Sequence, residues 1–175
     1  MQESFTIESM NPNEAEEIAA MHKQSWRDTY LSPENGVDEE WLDATIDKKF
    51  DDTYVPRLKK NIEINHKGEP SFFTAKNQDG KIIGFVRPFV QEDGLQRVGA
   101  LYIEKAWHGK GVGSALMQKV IEWADPEKPL GLRVTDYNQR ARRFYEKWGF
   151  EEVPGHGEVI YDKMKTTLMI RKGAK

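Results

Sequence analysis

Leu101-Tyr102-Ile103-Glu104-Lys105-Ala106-Trp107-His108-Gly109-Lys110-Gly111-Val112-Gly113-Ser114-Ala115 is the stretch on which the reading of this chain turns. It opens as a strand, places three glycines at alternate positions, and runs into a helical stripe of Leu116, Met117, Val120, Ile121 and Ala124. A strand that enters a helix through glycines presents backbone. Without Cβ atoms the chain bends tightly and approaches a ligand closely, and the first N–H groups of the following helix aim at one spot where the helix dipole favours negative charge. A pyrophosphate suits that spot. No GxxxxGK[ST] occurs, and GxGxxG fails because Ser114 stands where the last glycine is needed, so the nucleoside-triphosphate and dinucleotide readings lose ground. A tight strand-to-helix turn with no ligand is the alternative that the loop alone leaves open.

The same alternation of patterns extends both ways. Downstream, Asp125-Pro126 stops the helix, Leu130 to Thr135 reads as a strand, and Asn138 to Trp148 is helical with Ala141, Phe144, Tyr145 and Trp148 on one face and Gly149 as cap. Phe150 to Val153 and Met164 to Arg171 return as strands. Upstream, Ser71 to Lys76 and Lys81 to Val90 form a hairpin through Asn77–Gly80, followed by a third strand from Val98 to Glu104; Pro88 marks a bulge or an edge. Phe5 to Ser9 is a short strand. Asn11-Pro12 then opens a helix that buries Ala15, Ile18, Ala19, His22 and Trp26 and ends near Tyr30. Asp38 to about Asn61 is helical again, broken around Asp51. The order βααβββαβαββ predicts an α/β (α+β) layer structure, one domain over residues 1–175 with helices packed on a central sheet.

Composition narrows the classes of function. With 38% hydrophobic and 31% charged residues, five Trp, six Tyr and eight Phe, the 175-residue chain has the profile of a globular protein. The net charge of −3 and the absence of a long basic run argue against nucleic acid as a partner. No cysteine is present, which excludes a disulfide framework and thiolate metal sites. The amino-terminal MQESFTIESM lacks a signal-peptide pattern and no 18 apolar residues run together, so the expectation is a cytoplasmic protein without a membrane partner.

Here the chain resembles the GNAT acyltransferase superfamily. Its first signature, LYVxPxxQGxGxGxxL, is met by Leu101 to Leu116, with Lys105 in place of the proline and His108 in place of the glutamine or arginine. The second, NxxAxxFYxxxGF, is complete in Asn138, Ala141, Phe144, Tyr145, Gly149 and Phe150. The segment Ser25 to Tyr30 is also similar to the first helix of many bacterial members. The resemblance implies a mixed, mainly antiparallel sheet with helices on both faces and acetyl-CoA as cosubstrate. Its pyrophosphate would lie on the backbone of His108, Gly109, Lys110, Gly111, Val112, Gly113 and Ser114, its pantetheine arm along Tyr102 and Ile103 and against Asn138. An Ile103 N–H would stabilise the oxyanion and Tyr145 would protonate the leaving sulfur. Asn138 is equally a helix N-cap, and Tyr145 without the resemblance reads as core packing.

The acceptor side is less defined. Glu104 at the strand end is the candidate general base, with a solvent-exposed carboxylate as its alternative. His22, His66 and His156 have no ligand-spaced partner, so no metal is expected. The acceptor, a small-molecule amine, should bind between the first helices and the last hairpin. Asp28 to Asp52 holds nine acidic residues and two lysines, with Trp26, Tyr30 and Trp41 nearby. An acidic, aromatic-lined cleft would draw a polyamine, an aminoglycoside or a lysine side chain; a solvated acidic helix face is the plainer reading. A silent acyl-CoA sensor, a peptide N-acetyltransferase, a protein-binding module and a homodimer all stay open.

Overall fold

Thirteen α-helices and β-strands follow from the local signals in a computed structural model that describes residues 4–68 and 71–174. They are β1 (Phe5–Ser9), α1 (Ala15–Tyr30), α2 (Glu39–Lys49), α3 (Tyr54–Asn65), β2 (Phe73–Asn77), β3 (Ile82–Val90), β4 (Gln96–Ile103), α4 (Val112–Trp123), β5 (Leu130–Thr135), α5 (Gln139–Lys147), β6 (Glu151–Glu152), β7 (Glu158–Ile160) and β8 (Met164–Arg171). Asn11 accepts from the Asn13 N–H and Glu14 reaches back to the Asn11 N–H, a capping box that launches the turn into α1. The break expected around Asp51 separates two helices: the Asp51 carboxylate accepts from the Thr53 N–H (3.0 Å) and hydroxyl (2.6 Å), which competes with continued helix. β7 was not expected; it is three residues long, mostly exposed, and carries no buried stripe to betray it.

The strands form one sheet in the order β1-β2-β3-β4-β5-β8-β6, with β7 beside β8, antiparallel throughout except for β4 with β5. On one face α1 and α3 pack Ile18, Tyr54, Leu58 and Ile62 against Ile82, Phe85 and Ala100. On the other, Val112, Leu116, Met117 and Val120 of α4 meet Ile83, Val86, Leu132 and Met169, and α5 adds Ala141, Phe144 and Tyr145. The mixed, mainly antiparallel sheet with helices on both faces is thus the architecture present.

What positions the site is the meeting of β4 and β5. They pair only at Gln96↔Leu130 and Arg97↔Gly131 and then part, while β5 stays zipped to β8 over its whole length. Between Val86↔Leu101 and Pro88↔Val98 a single β3 residue, Arg87, faces two on β4, Gly99 and Ala100. That bulge bends β4. It sits beside the proline that hinted at one. Gly99 is required there, since a Cβ would lie 2.6 Å from the Phe89 ring and 2.9 Å from the Arg87 carbonyl oxygen.

Candidate active site

The parted strands open a cavity of about 530 Å³, walled by β4 from Val98 to Ile103, by Arg133 to Thr135 of β5, by the glycine loop and by α5, and closed at one end by Thr29 and Tyr30. The Glu104 N–H donates to the Ile83 carbonyl (2.8 Å). Successive N–H groups of a strand point to opposite edges, so the Ile103 and Leu101 N–H groups point away from β3, toward the parted edge. A strand edge with free donors therefore borders the cavity.

The glycine loop adds more donors. Gly109 and Gly111 have φ of 78° and 88°, a left-handed conformation that β-carbon-bearing residues resist. Gly111 is the N-cap of α4 and no side chain caps that end. The N–H groups of Gly109, Gly111, Val112, Gly113 and Ser114 have no acceptor among the described residues; the first α4 bond is Ala115 N–H to Gly111 carbonyl, 3.0 Å. Gly113 is needed for another reason, because a Cβ would stand 3.1 Å from Ile103 Cδ1 and 3.6 Å from the Phe144 ring. Two expected backbone donors are otherwise engaged: the His108 N–H bonds the Lys105 carbonyl (3.2 Å) and the Lys110 N–H the Trp107 carbonyl (3.4 Å). The His108 side chain instead lines the cavity, with Nε2 bonding the Ile103 carbonyl (3.0 Å) and Nδ1 receiving Arg140 Nη1. Burial, and then the Arg140 guanidinium, lower its pKa below the usual imidazole range, so it is neutral at pH 7. Arg140, Arg143 and Lys147 on α5 give this end of the cavity a positive field.

Three tyrosines converge at the other end. Tyr102 Oη receives Trp26 Nε1–H (3.1 Å) and shares a bond of 2.9 Å with Tyr30 Oη. Burial pushes the Tyr102 phenol up to about 12 and that of Tyr30 well above its ordinary value. Tyr145 lines the same cavity, stacked edge-on against Phe144 and Phe150, and its hydroxyl has no hydrogen-bond partner among the described residues. Burial first, and Tyr102 second, raise its pKa, so it holds its proton. Asn138 caps α5 by accepting from the Ala141 N–H (3.1 Å), as the N-cap reading expects, and the residue also lines the cavity. Trp26 lies behind Tyr30 and Tyr102 rather than in the cavity wall. Glu104 is not among the lining residues: its carboxylate pairs with Lys81 Nζ at 2.6 Å across the sheet.

The acidic stretch also faces elsewhere. All nine acidic side chains from Asp28 to Asp52 are exposed, so none of them lines an inward cleft. The group that does turn inward there is Lys49, whose ammonium lies 4.8 Å from the Trp26 ring, 5.6 Å from Phe50 and 5.8 Å from Tyr161. Sequence reading passed over Lys49 and Arg140 because only the fold brings them to an aromatic ring or a histidine from another element. No helix among the described residues is long and apolar enough to cross a membrane.

Comparison with known proteins agrees with this geometry. The sequence profile described as Acetyltransferase (GNAT) family matches residues 18–150. Over 85 residues the chain is 36% identical to an uncharacterized N-acetyltransferase of Mycobacterium tuberculosis, an alignment covering 46% of this chain and 53% of that protein, so the chain spans about half that relative's length. An uncharacterized N-acetyltransferase of Lactobacillus delbrueckii subsp. lactis is 25% identical over 181 residues, 95% of either chain. Among solved structures, the PaiA N-acetyltransferase of Thermoplasma acidophilum in complex with coenzyme A superimposes with a TM-score of 0.76 at 21% identity, over 97% of this chain and 99% of that one. A GNAT-family acetyltransferase of Streptococcus pneumoniae gives 0.71 at 19% identity, over 98% and 100%. At these identities the structural likenesses speak to the fold.

Proposed function

This chain belongs to the GNAT acetyltransferase family, and from that premise we propose that it moves an acetyl group from acetyl-CoA to a primary amine by direct attack. The observation that carries the reading is the glycine loop: five backbone N–H groups without acceptors, at the uncapped start of α4, on the rim of a cavity edged by further free donors. These groups fit a pyrophosphate. Coenzyme A in the Thermoplasma neighbour supports the same choice of cosubstrate. Bound acetyl-CoA supplies an activated acyl thioester.

The chain's own residues then have definable tasks. Gly109 and Gly111 to Ser114 bind phosphate oxygens, and Arg140 and Arg143 add positive charge at that end. The Ile103 N–H, fixed in a strand, faces negative charge as it grows on the thioester oxygen. Tyr145 donates its proton toward sulfur while the C–S bond breaks. Net, one C–N bond forms, one C–S bond breaks, and one proton passes from nitrogen to sulfur. An amine of ordinary pKa is about three units too basic to be neutral at pH 7, so the reacting fraction is about one in a thousand unless the site lowers that pKa. Glu104, tied to Lys81, is poorly placed for that task.

The test is release of CoA thiol from acetyl-CoA across a panel of amino acids, polyamines, aminoglycosides, aminoalkyl phosphates and peptides. Turnover with at least one amine is expected. Silence across the panel, with acetyl-CoA still bound, would replace this reading with that of a sensor.

A further inference from the structure

On the α1–α3 face of the sheet, behind Trp26 and Tyr102, lies a cluster of cations with no ion-paired acid among the described residues, the Asp51 carboxylate being near enough to feel Arg57 at the rim. Arg87 Nη2 donates to Tyr54 Oη (3.5 Å), and the Arg57 guanidinium stands 5.9 Å from the Tyr54 ring. Tyr54 and Phe50 lie 4.7 Å apart, with Lys49 over the far side of Phe50. None of Lys49, Arg57 and Arg87 has a carboxylate within 4.0 Å among the described residues. Other half-buried cations are answered by acids, Lys76 between Glu8 and Glu14 and Arg142 against Glu152, whereas here two cations, Lys49 and Arg87, share one aromatic cluster with no ion-paired acid among the described residues. The three feel one another. Lys49 is brought down to about 8 by burial first and then by Arg87 and Arg57. Burying like charges together works against folding, and such an arrangement is expected where a ligand supplies the opposite charge.

Two further polar atoms in the same cluster are unanswered. Arg87 Nε is buried without a partner, and so is Nε2 of His22, a residue 2% exposed whose Nδ1 bonds Tyr54 Oη at 2.7 Å. The His22 ring lies 4.4 Å from that of Tyr102, whose hydroxyl touches Tyr30 at the end of the cavity. Tyr161 sits at the outer side, at the tip of the β7–β8 hairpin, with φ of 49° followed by 67° at Asp162. A left-handed tyrosine is uncommon and strained; here it turns the ring onto Trp26, 5.3 Å away, and lets its hydroxyl accept from Lys49 (3.3 Å). The cationic cluster thus reaches solvent beside the exposed Tyr161 ring and lies one aromatic layer from the cosubstrate cavity.

We propose that the acceptor bears an anionic oxygen group, carboxylate or phosphate, as well as its amine, and that Lys49 and Arg87, with Arg57 at the rim, receive that group. The inference rests on the acetyl-transfer reading and specifies its substrate class: an amino acid or an aminoalkyl phosphate, not a polyamine. Guanidinium and ammonium suit both oxyanions, Arg87 through paired N–H groups and Lys49 as a point charge.

The experiment measures kcat/KM at saturating acetyl-CoA for matched pairs: amino acids against their carboxamides, and aminoalkyl phosphates against the corresponding amino alcohols. The acid member of the preferred pair should exceed its neutral partner about tenfold or more, and which kind of pair responds separates carboxylate from phosphate. Lys49→Met and Arg87→Met should each raise KM for the acid about tenfold, shrinking the preference, while KM for acetyl-CoA moves less than about twofold. Lys49→Arg and Arg87→Lys, which keep the charge, should retain most of it. Neutral or polycationic amines equalling the acids in the wild-type protein would overturn the proposal without touching the transfer reading. Should no amine turn over, that reading fails instead, and thermal shift of the wild-type protein with the same pairs decides the anion site: acids raising Tm above their neutral partners sustain it, equal shifts refute it.

Discussion

Tyr145 reaches the cavity with its hydroxyl unbonded, and a residue of this kind can be tested cleanly because its removal breaks no protein hydrogen bond. Tyr145→Phe is expected to lower kcat by about 10²-fold with acetyl-CoA affinity altered less than about twofold and Tm nearly unchanged; an unaltered rate with a slow-chemistry acceptor would end its role as acid. Helical spacing places Tyr145 on one face with Ala141 and Phe144 and by itself reads as core packing; the role as acid is expected only from the resemblance carried by Asn138, Ala141, Phe144 and Tyr145. Lys49 and Arg87 were not legible in the sequence: they sit on α2 and β3, and only the packing of the helices on the sheet brings Lys49 to Trp26 and Arg87 to Tyr54. Glu104 shows the converse. Nearness in sequence to Ile103 suggested a place at the reaction centre, yet the carboxylate turns to Lys81.

At the scale of elements, the loop and α4 could be read directly, since glycines and a helical stripe are local signals. The parting of β4 from β5 could not, because it consists of hydrogen bonds that are missing between strands 27 or more residues apart in sequence. Pro88 gave a partial sign of it through the bulge. Gly99→Ala puts that device to the test. The Phe89 ring, 44% exposed, can swing away from a new methyl, whereas the Arg87 carbonyl at 2.9 Å is backbone and must shift. Loss of about 1–3 kcal/mol by denaturant unfolding is expected, with a raised KM for acetyl-CoA as the strand edge moves. A variant as stable as the parent and with an unaltered KM would show that the bulge does not set the opening.

For the whole molecule, the cavity divides a sheet whose two halves touch along only two residue pairs, so a ligand that spans it joins α4, α5 and β4 in the native state alone. Acetyl-CoA at about 100 times its Kd should add about 2.7 kcal/mol, a Tm rise of roughly 5–10 °C for a chain of this size. Pantetheine, which lacks the pyrophosphate, should give much less; an equal rise would move the anchor away from the glycine loop. The donor groups come from residues 98–147, whereas the aromatic and cationic groups behind Tyr102 come from α1, α2, α3, β3 and the tip at Tyr161. Tyr102 and Tyr30 are the hinge between these two inventories. The Tyr161 tip is a three-residue turn between β7 and β8, so on the proposed reading replacements there and along α2 alter which amine is accepted while the machinery for the acyl donor is inherited intact.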